Sequence, residues 1–359
     1  IDTQSYIFPA EVMTQNAPTP SMNLLPADTL AWGATGADLS NISAFPGLTF
    51  WGINPAIATD AVPDNQFQQA DLMKLPTLSI VADWKHLFGP NSAGQTDGGI
   101  YPPASGVAVE GIDRVASLEL INPDASLTTP NLKSGFQTDG NIHVFGGTSQ
   151  NRWKSYKLSL RFQCAAEVNY RVYGDDATNV FKNFTLDATM NNTWMHPTDA
   201  NQRNRSSFVR DFVMADLQNR MGQRGFHSRP AHLYLNGLYW GIYYLHEKPD
   251  HHFNAAYYGG ESDDYDVFKH STHPNFTESD PHVNTLAQNP ALPVAKPTAG
   301  NPAGNSTCVT NFEALLDLLG TGNVGANPGV LPDLSIQANY DAVAAALDID
   351  AFIDYMLLN

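Results

Sequence analysis

From Leu75 onward the chain alternates apolar and polar residues in short runs. "LPTLSIVAD", "VASLELIN", "NIHVFGG" and "YKLSLRF" carry β-branched or alternating apolar positions, and Gly, Asn and Asp separate most of them. The pattern predicts an antiparallel sheet. The period then lengthens: in "SSFVRDFVMADLQNRMG", Phe208, Phe212 and Leu217 fall near helical spacing, and Val209, Val213 and Met214 widen the stripe. Ser206 or Ser207 is the expected N-cap of this helix and Gly222 its stop.

"HLYLNGLYWGIYYLHEKPD" follows. Asn236-Gly237 between apolar runs predicts a hairpin, because both turn positions need positive φ. A two-residue turn sets Leu235 against Leu238 and Leu233 against Trp240, with Ile242 and Tyr244 continuing that face. Tyr234, Tyr239, Tyr243 and Leu245 fall on the other face. Both faces are apolar, so the hairpin belongs inside a sheet covered on both sides. Gly241 leaves room for a close neighbour. The strand must end near Glu247, since Pro249 cannot donate to a ladder.

Two more helices are expected, in "NFEALLDLLG" and in "NYDAVAAALDIDAFIDYMLLN", the latter broken near Asp348-Ile349-Asp350. Residues 1–75 lack a sustained period and suggest an extended arm. Residues 271–307, rich in Pro, Asn and Ala, suggest a surface insertion. Sheet, helix, hairpin, then helices gives an α+β fold class.

Composition narrows the function. The 359 residues are 42% hydrophobic and only 15% charged, with a formal net charge of -17. That charge repels phosphate backbones, and no Lys/Arg block offsets it, so nucleic acid is not an expected partner. No apolar run reaches membrane-spanning length. A chain that begins at Ile1 is expected to be a mature or trimmed segment. Cys164 and Cys308 form a disulfide if they meet, and are otherwise two buried thiols.

Candidate chemistry gathers at a few places. Gly146-Gly147-Thr148-Ser149 is a turn whose backbone N–H groups can cradle phosphate, although a Gly-Gly hairpin is more often only a turn. Lys154 and Lys157 follow on a strand. Their odd spacing puts them on opposite faces, and Lys154 is favoured. Arg210-Asp211 on the helix can orient a lysine or bind metal. Asp263, Asp264 and Asp266 are candidates for metal, against the commoner reading of an acidic solvated turn. His251, His252, His270, His273 and His282 lack zinc-ligand spacing. Glycosylation triplets begin at Asn41, Asn183, Asn191, Asn204, Asn275 and Asn305.

"GGTSQNRWKSYKLSLRF", "VRDFVMADLQNRMGQRGFHSRPAHLYLNGLYWGIYYLHEKPD" and "YYGGESDDYDVFKH" together resemble the CotH spore-coat kinase-like family over about residues 76–270. "LPTLSIVADWKHLFGP" and "GGIYPP" also fit its long secreted members. The resemblance implies an atypical protein-kinase fold. A mostly antiparallel N-terminal sheet lobe would span 76–247, after the arm at 1–75. Residues 248–359 would hold the hinge, the insertion and an incomplete helical lobe. It implies ATP between the lobes, magnesium, and phosphorylation of Ser/Thr on secreted proteins. Gly146, Gly147, Ser149, Lys154 and Lys157 would face the phosphates, and the backbone of Leu245, His246 and Glu247 would meet adenine. The family's catalytic and metal-binding carboxylates are expected beyond Asn359, so this stretch by itself is expected to be inactive. Two functions remain open: a secreted or cell-surface kinase acting on protein substrates, or a non-catalytic kinase-like partner in an extracellular assembly.

Overall fold

A sheet whose strands bury every second side chain needs a covering layer, or must close on itself. This chain does the second. The computed structural model describes residues 4–13, 60–83, 86–87, 99–100, 112–121, 135–146, 158–189, 200–265, 267–270, 283–286, 315 and 333–358. Seven strands, β1 (Thr77–Ala82), β2 (Arg114–Ile121), β3 (Phe136–Val144), β4 (Leu160–Asn169), β5 (Val180–Asp187), β6 (Ser228–Leu235) and β7 (Leu238–His246), form a closed barrel in the order β1-β2-β3-β4-β5-β7-β6. Neighbours are antiparallel except β1 and β6, which run parallel from Thr77↔His232 to Ile80↔Leu235. The α+β class stands, and the mostly antiparallel sheet expected is a closed barrel of seven strands.

The chain divides into two compact units. One comprises Ile1–Arg210 and His227–Lys248; the other comprises Asp211–Phe226 and Pro249–Asn359. The described parts of the expected arm, residues 4–13 and 60–75, belong with the barrel. Residues 211–226, which sequence reading placed in the sheet lobe, belong with the second unit.

The hairpin shows how side chains sort across the barrel wall. Asn236 and Gly237 have φ of 47° and 80°, as a two-residue turn requires. Leu235 faces Leu238 and Tyr234 faces Tyr239, but the register then shifts and Leu233 faces Gly241, not Trp240. Gly241, at φ 102°, supplies the backbone freedom of this bulge. An extra residue reverses the alternation that follows. Leu233, Leu235 and Trp240 point into the core, and so do Tyr243 and Leu245, in place of Ile242 and Tyr244. Inside the barrel the Tyr243 hydroxyl donates to the Leu158 carbonyl at 2.9 Å, so its burial leaves no orphaned group.

The outward aromatics of the hairpin are covered by the arm. Tyr234 and Tyr239 join Val12 of helix α1 (Pro9–Met13) and Leu72 of the 3₁₀ turn Gln69–Met73 in a separate apolar cluster, with Ile7 and Phe67 against it. His232 is buried there. Its Nε2 donates to the Asp71 carbonyl at 3.2 Å, and its Nδ1 accepts from the Tyr239 hydroxyl at 3.0 Å. A carbonyl only accepts, so Nε2 carries a proton here. Ser5 bonds Glu119 through its amide and Ser79 through its hydroxyl, tying the arm to β2 and β1.

Closure of β1 on β6 continues past the strands. The Asn236 amide group donates to the Ala82 carbonyl and accepts from the Ala82 amide, both at 2.9 Å, while the Asn236 backbone N–H donates to Ile80 at 2.8 Å. One turn residue thus serves as the last rung of the parallel ladder.

In the second unit, α3 (Arg210–Arg220) follows α2 (Ala200–Arg205) of the barrel unit, and α4 (His251–Tyr258) comes later. Val209, Val213 and Leu217 of the predicted stripe are exposed, and Phe212 and Ala215 are its buried residues. Helix α3 begins three residues after Ser207, so neither serine caps it, and it stops at Gly222 with φ 93°. The Arg224 guanidinium lies 5.1 Å over the Tyr257 ring. Strands β8 (Val267–His270) and β9 (Val283–Leu286) pair in parallel. Helices α5 (Gln337–Ala344) and α6 (Ile349–Leu358) flank the predicted break, where Asp348 caps α6 through the Ala351 amide at 2.9 Å. Gln223 reaches Asp354 of α6 at 3.0 Å. The predicted helix in 311–320 lies outside the described residues, apart from Leu315.

Asn236→Asp retains the turn's tolerance of positive φ and the acceptor for Ala82, but removes the donor. It should cost about 1 kcal/mol, read as a lowered chemical-denaturation midpoint, and Asn236→Ala should cost more.

Candidate functional site

Side chains alternate across the wall over Ile142–Val144, Leu160–Phe162 and Asn183–Leu186, which sets up a second surface. Ile142, Val144, Leu160, Phe162, Phe184 and Leu186 fill the interior. His143, Arg161, Asn183 and Thr185 must then point outward. Register aligns them: His143 faces Arg161, Arg161 faces Thr185, and Thr185 faces His246 of β7. The result is a polar row crossing four strands.

The row is held by its own contacts. Asp113, just before β2, accepts from His143 Nδ1 at 2.7 Å. That bond, with a smaller pull from Arg161, holds the Asp113 carboxyl below its ordinary 3.8. Arg161 Nη2 donates to Asn183 Oδ1 at 2.9 Å. Thr185 is 1% exposed, yet its hydroxyl has no hydrogen-bond partner. Leaving such a group unsatisfied costs on the order of 1–3 kcal/mol, so it demands an explanation.

At the end of β7 the peptide expected to meet adenine is buried, and most of its groups are already spent. Leu245 and His246 pair with β5 on one side and β6 on the other. The Glu247 N–H donates to the His227 carbonyl at 3.1 Å, and its own carbonyl accepts from His246 Nδ1 at 2.6 Å. The Glu247 carboxylate, 2% exposed, accepts from the His227 amide at 2.8 Å and from its Nδ1 at 2.9 Å. Glu247 thus works as a staple between the start of β6 and the end of β7. Nothing in the sequence pattern marked that role.

Of the glycine turn, the base is described. Phe145 N–H bonds Ser159 at 2.8 Å, and Gly146 follows with φ 113°, a conformation that favours glycine. Gly147, Ser149, Lys154 and Lys157 lie outside the described residues. On the facing strand end, Ser159 donates to Asp187 and accepts from the Ala188 amide, both at 3.0 Å, fixing the exit of β5. Before α3, Phe208 is held at φ 61° with its ring 5.9 Å from that of Tyr244; Arg210 and Asp211 are exposed.

The acidic turn behaves as local structure. Asp264 accepts from the Glu261 amide at 2.9 Å, a reciprocal cap of the 3₁₀ turn Ser262–Asp264, and Asp263 is exposed; Asp266 lies outside the described residues. Among the described residues no three His, Cys, Asp or Glu side chains converge to hold a metal ion. The His251 and His252 rings lie 4.1 Å apart and tilted by 38° at the start of α4, whose N-cap is Asp250. Cys164 lies in the barrel core as a free thiol that burial pushes up to about 12, so a disulfide partner would have to enter the barrel. Cys308 lies outside the described residues. The triplet at Asn183 sits within β5, where Asn183 is buried, so the folded barrel cannot present it for glycosylation.

Asp113 prefers its ionised form when folded, so the His143 bond contributes fully above its ordinary value and is lost as pH falls through the lowered one. His143→Ala should therefore unfold at lower denaturant than the wild type near about pH 5, and the two midpoints should converge below about pH 3.

Comparison with known proteins adds one assignment. The family model described as CotH kinase protein matches residues 142–359, from the last turn of β3 through the polar row and the hairpin to the final helix. No curated protein matches the sequence. The matched span is more than half the chain, and the chain belongs to the CotH kinase protein family.

Proposed function

We propose that this protein is a nucleotide-binding, kinase-like member of its family, acting outside the cell to transfer phosphate from ATP to Ser/Thr of extracellular or coat proteins. The observation that carries the reading is the family match over 142–359, a span that takes in the glycine turn, Lys154 and Lys157, β5, α3 and the end of β7 in one continuous stretch. That succession has a physical logic: a glycine turn for phosphates, a lysine for their charge, then a helix and a linker.

The chain's own residues would bind and orient. Outward side chains of β3, β4, β5 and β7 would meet the ligand in place of the backbone at 245–247, which is engaged internally. ATP when bound supplies the transferable phosphoryl group. Magnesium would screen its charge, but the described residues form no three-ligand cluster for it, and no metal-dependent step is assigned to them.

A second reading, a kinase-like interaction protein that uses no ATP, draws on the same engaged peptide at Glu247. Isothermal titration of ATP in magnesium divides the two. Saturable binding supports the kinase reading, and incorporation of γ-phosphate label into a Ser/Thr protein substrate would extend it to transfer. No heat of binding up to millimolar ATP would overturn it in favour of the interaction protein.

A further inference from the structure

The outward row on β3, β4, β5 and β7 asks for an occupant. Thr185 is buried, and its hydroxyl has no partner. Its two cross-strand neighbours on that face are Arg161 and His246, and Asn183 lies two positions away on its own strand. A stripe serving only to pack the barrel would carry apolar residues there, as the hairpin does under the arm. Charge selects the ligand. Arg161 is the row's fixed cation, its guanidinium oriented by Asn183, and the carboxylate at the far end, Asp113, is bonded to His143. Arg161 and Thr185 set two donors side by side, and an acceptor-rich ligand matches them, while the Asp187 carboxylate two positions beyond Thr185 is engaged by Ser159 and the Thr189 amide.

We propose that Arg161 and Thr185 form a phosphate-binding step on the outer wall of the barrel, accepting the polyphosphate of a nucleoside triphosphate. Arg161 is the charged donor, Thr185 the neutral one, and Asn183 the residue that positions the guanidinium. His246 borders the step on the side of the β7 exit. Asn183, Thr185 and His246 are buried and Arg161 is half-buried, so a ligand would have to reach the step from the Arg161 end. This assignment rests on the kinase-like reading, and it names residues that neither the glycine turn nor the lysines include.

The test is calorimetric titration of ATP and of inorganic tripolyphosphate, with magnesium, into the full chain and into Arg161→Gln, Arg161→Lys, Thr185→Val and Thr185→Ser, each checked for an unchanged melting temperature. The wild type should bind both ligands. Arg161→Gln should weaken both by about tenfold or more, because it removes a charge-assisted donor. Arg161→Lys should recover part of that loss. Thr185→Val should weaken both several-fold, with Thr185→Ser close to wild type. Wild-type ATP binding left unchanged by Arg161→Gln and Thr185→Val would overturn the step and leave the kinase reading intact. Binding of tripolyphosphate but not ATP would support the step and overturn the nucleotide reading. Binding of neither would overturn both.

Discussion

The parallel pairing of β1 with β6 is the constraint on which the rest of the molecule depends. Without it β6 would be an edge strand and the sheet would be open, with one face needing cover from elsewhere. With it the wall closes, and every strand acquires an inside and an outside. Parallel strands cannot be joined by a tight turn, so this contact brings together residues more than 150 positions apart. Its stability comes from the chain on either side: Asn236 extending the ladder to Ala82, and the arm packing Val12 and Leu72 over the outward tyrosines.

Closure also explains where chemistry can be placed. Among the described residues the interior is filled mainly by apolar side chains, with the Tyr243 hydroxyl bonded to the Leu158 carbonyl. The outer wall splits into two territories. Under the arm it is aromatic and sealed. One row across β3, β4, β5 and β7 is polar, ordered by Asn183 and Asp113, and it holds an unsatisfied threonine. The outer wall of the barrel thus carries an apolar cluster under the arm and a hydrogen-bonded polar row across β3, β4 and β5.

Much of this was legible in the sequence, for identifiable reasons. The Asn-Gly turn announced itself through its dihedral requirement, and the break at Asp348 through its capping side chain. β5 was missed because Phe181 and Phe184 both enter the core from positions three apart, which breaks the period of two. The bulge at Gly241 reversed the predicted faces of Tyr243 and Tyr244, since one extra residue shifts every later side chain. Barrel closure was out of reach, because no local pattern records which distant strand will pair with β1. The polar row was out of reach for the same cause: its members sit far apart in sequence and become neighbours only through register. The resemblance put adenine at the backbone of 245–247, and no local pattern marks the hydrogen bonds by which Glu247 joins His227 there.

Amide hydrogen exchange along β6 tests closure most directly. The His232 and Asn236 amides donate to Pro76 and Ile80, on the side of β6 turned away from β7. In a closed barrel they should exchange as slowly as the β6 amides that pair with β7. If His232 and Asn236 exchange at the rate of an exposed edge while their neighbours stay protected, β1 is not paired there, and the account of the barrel and its two outer faces is contradicted.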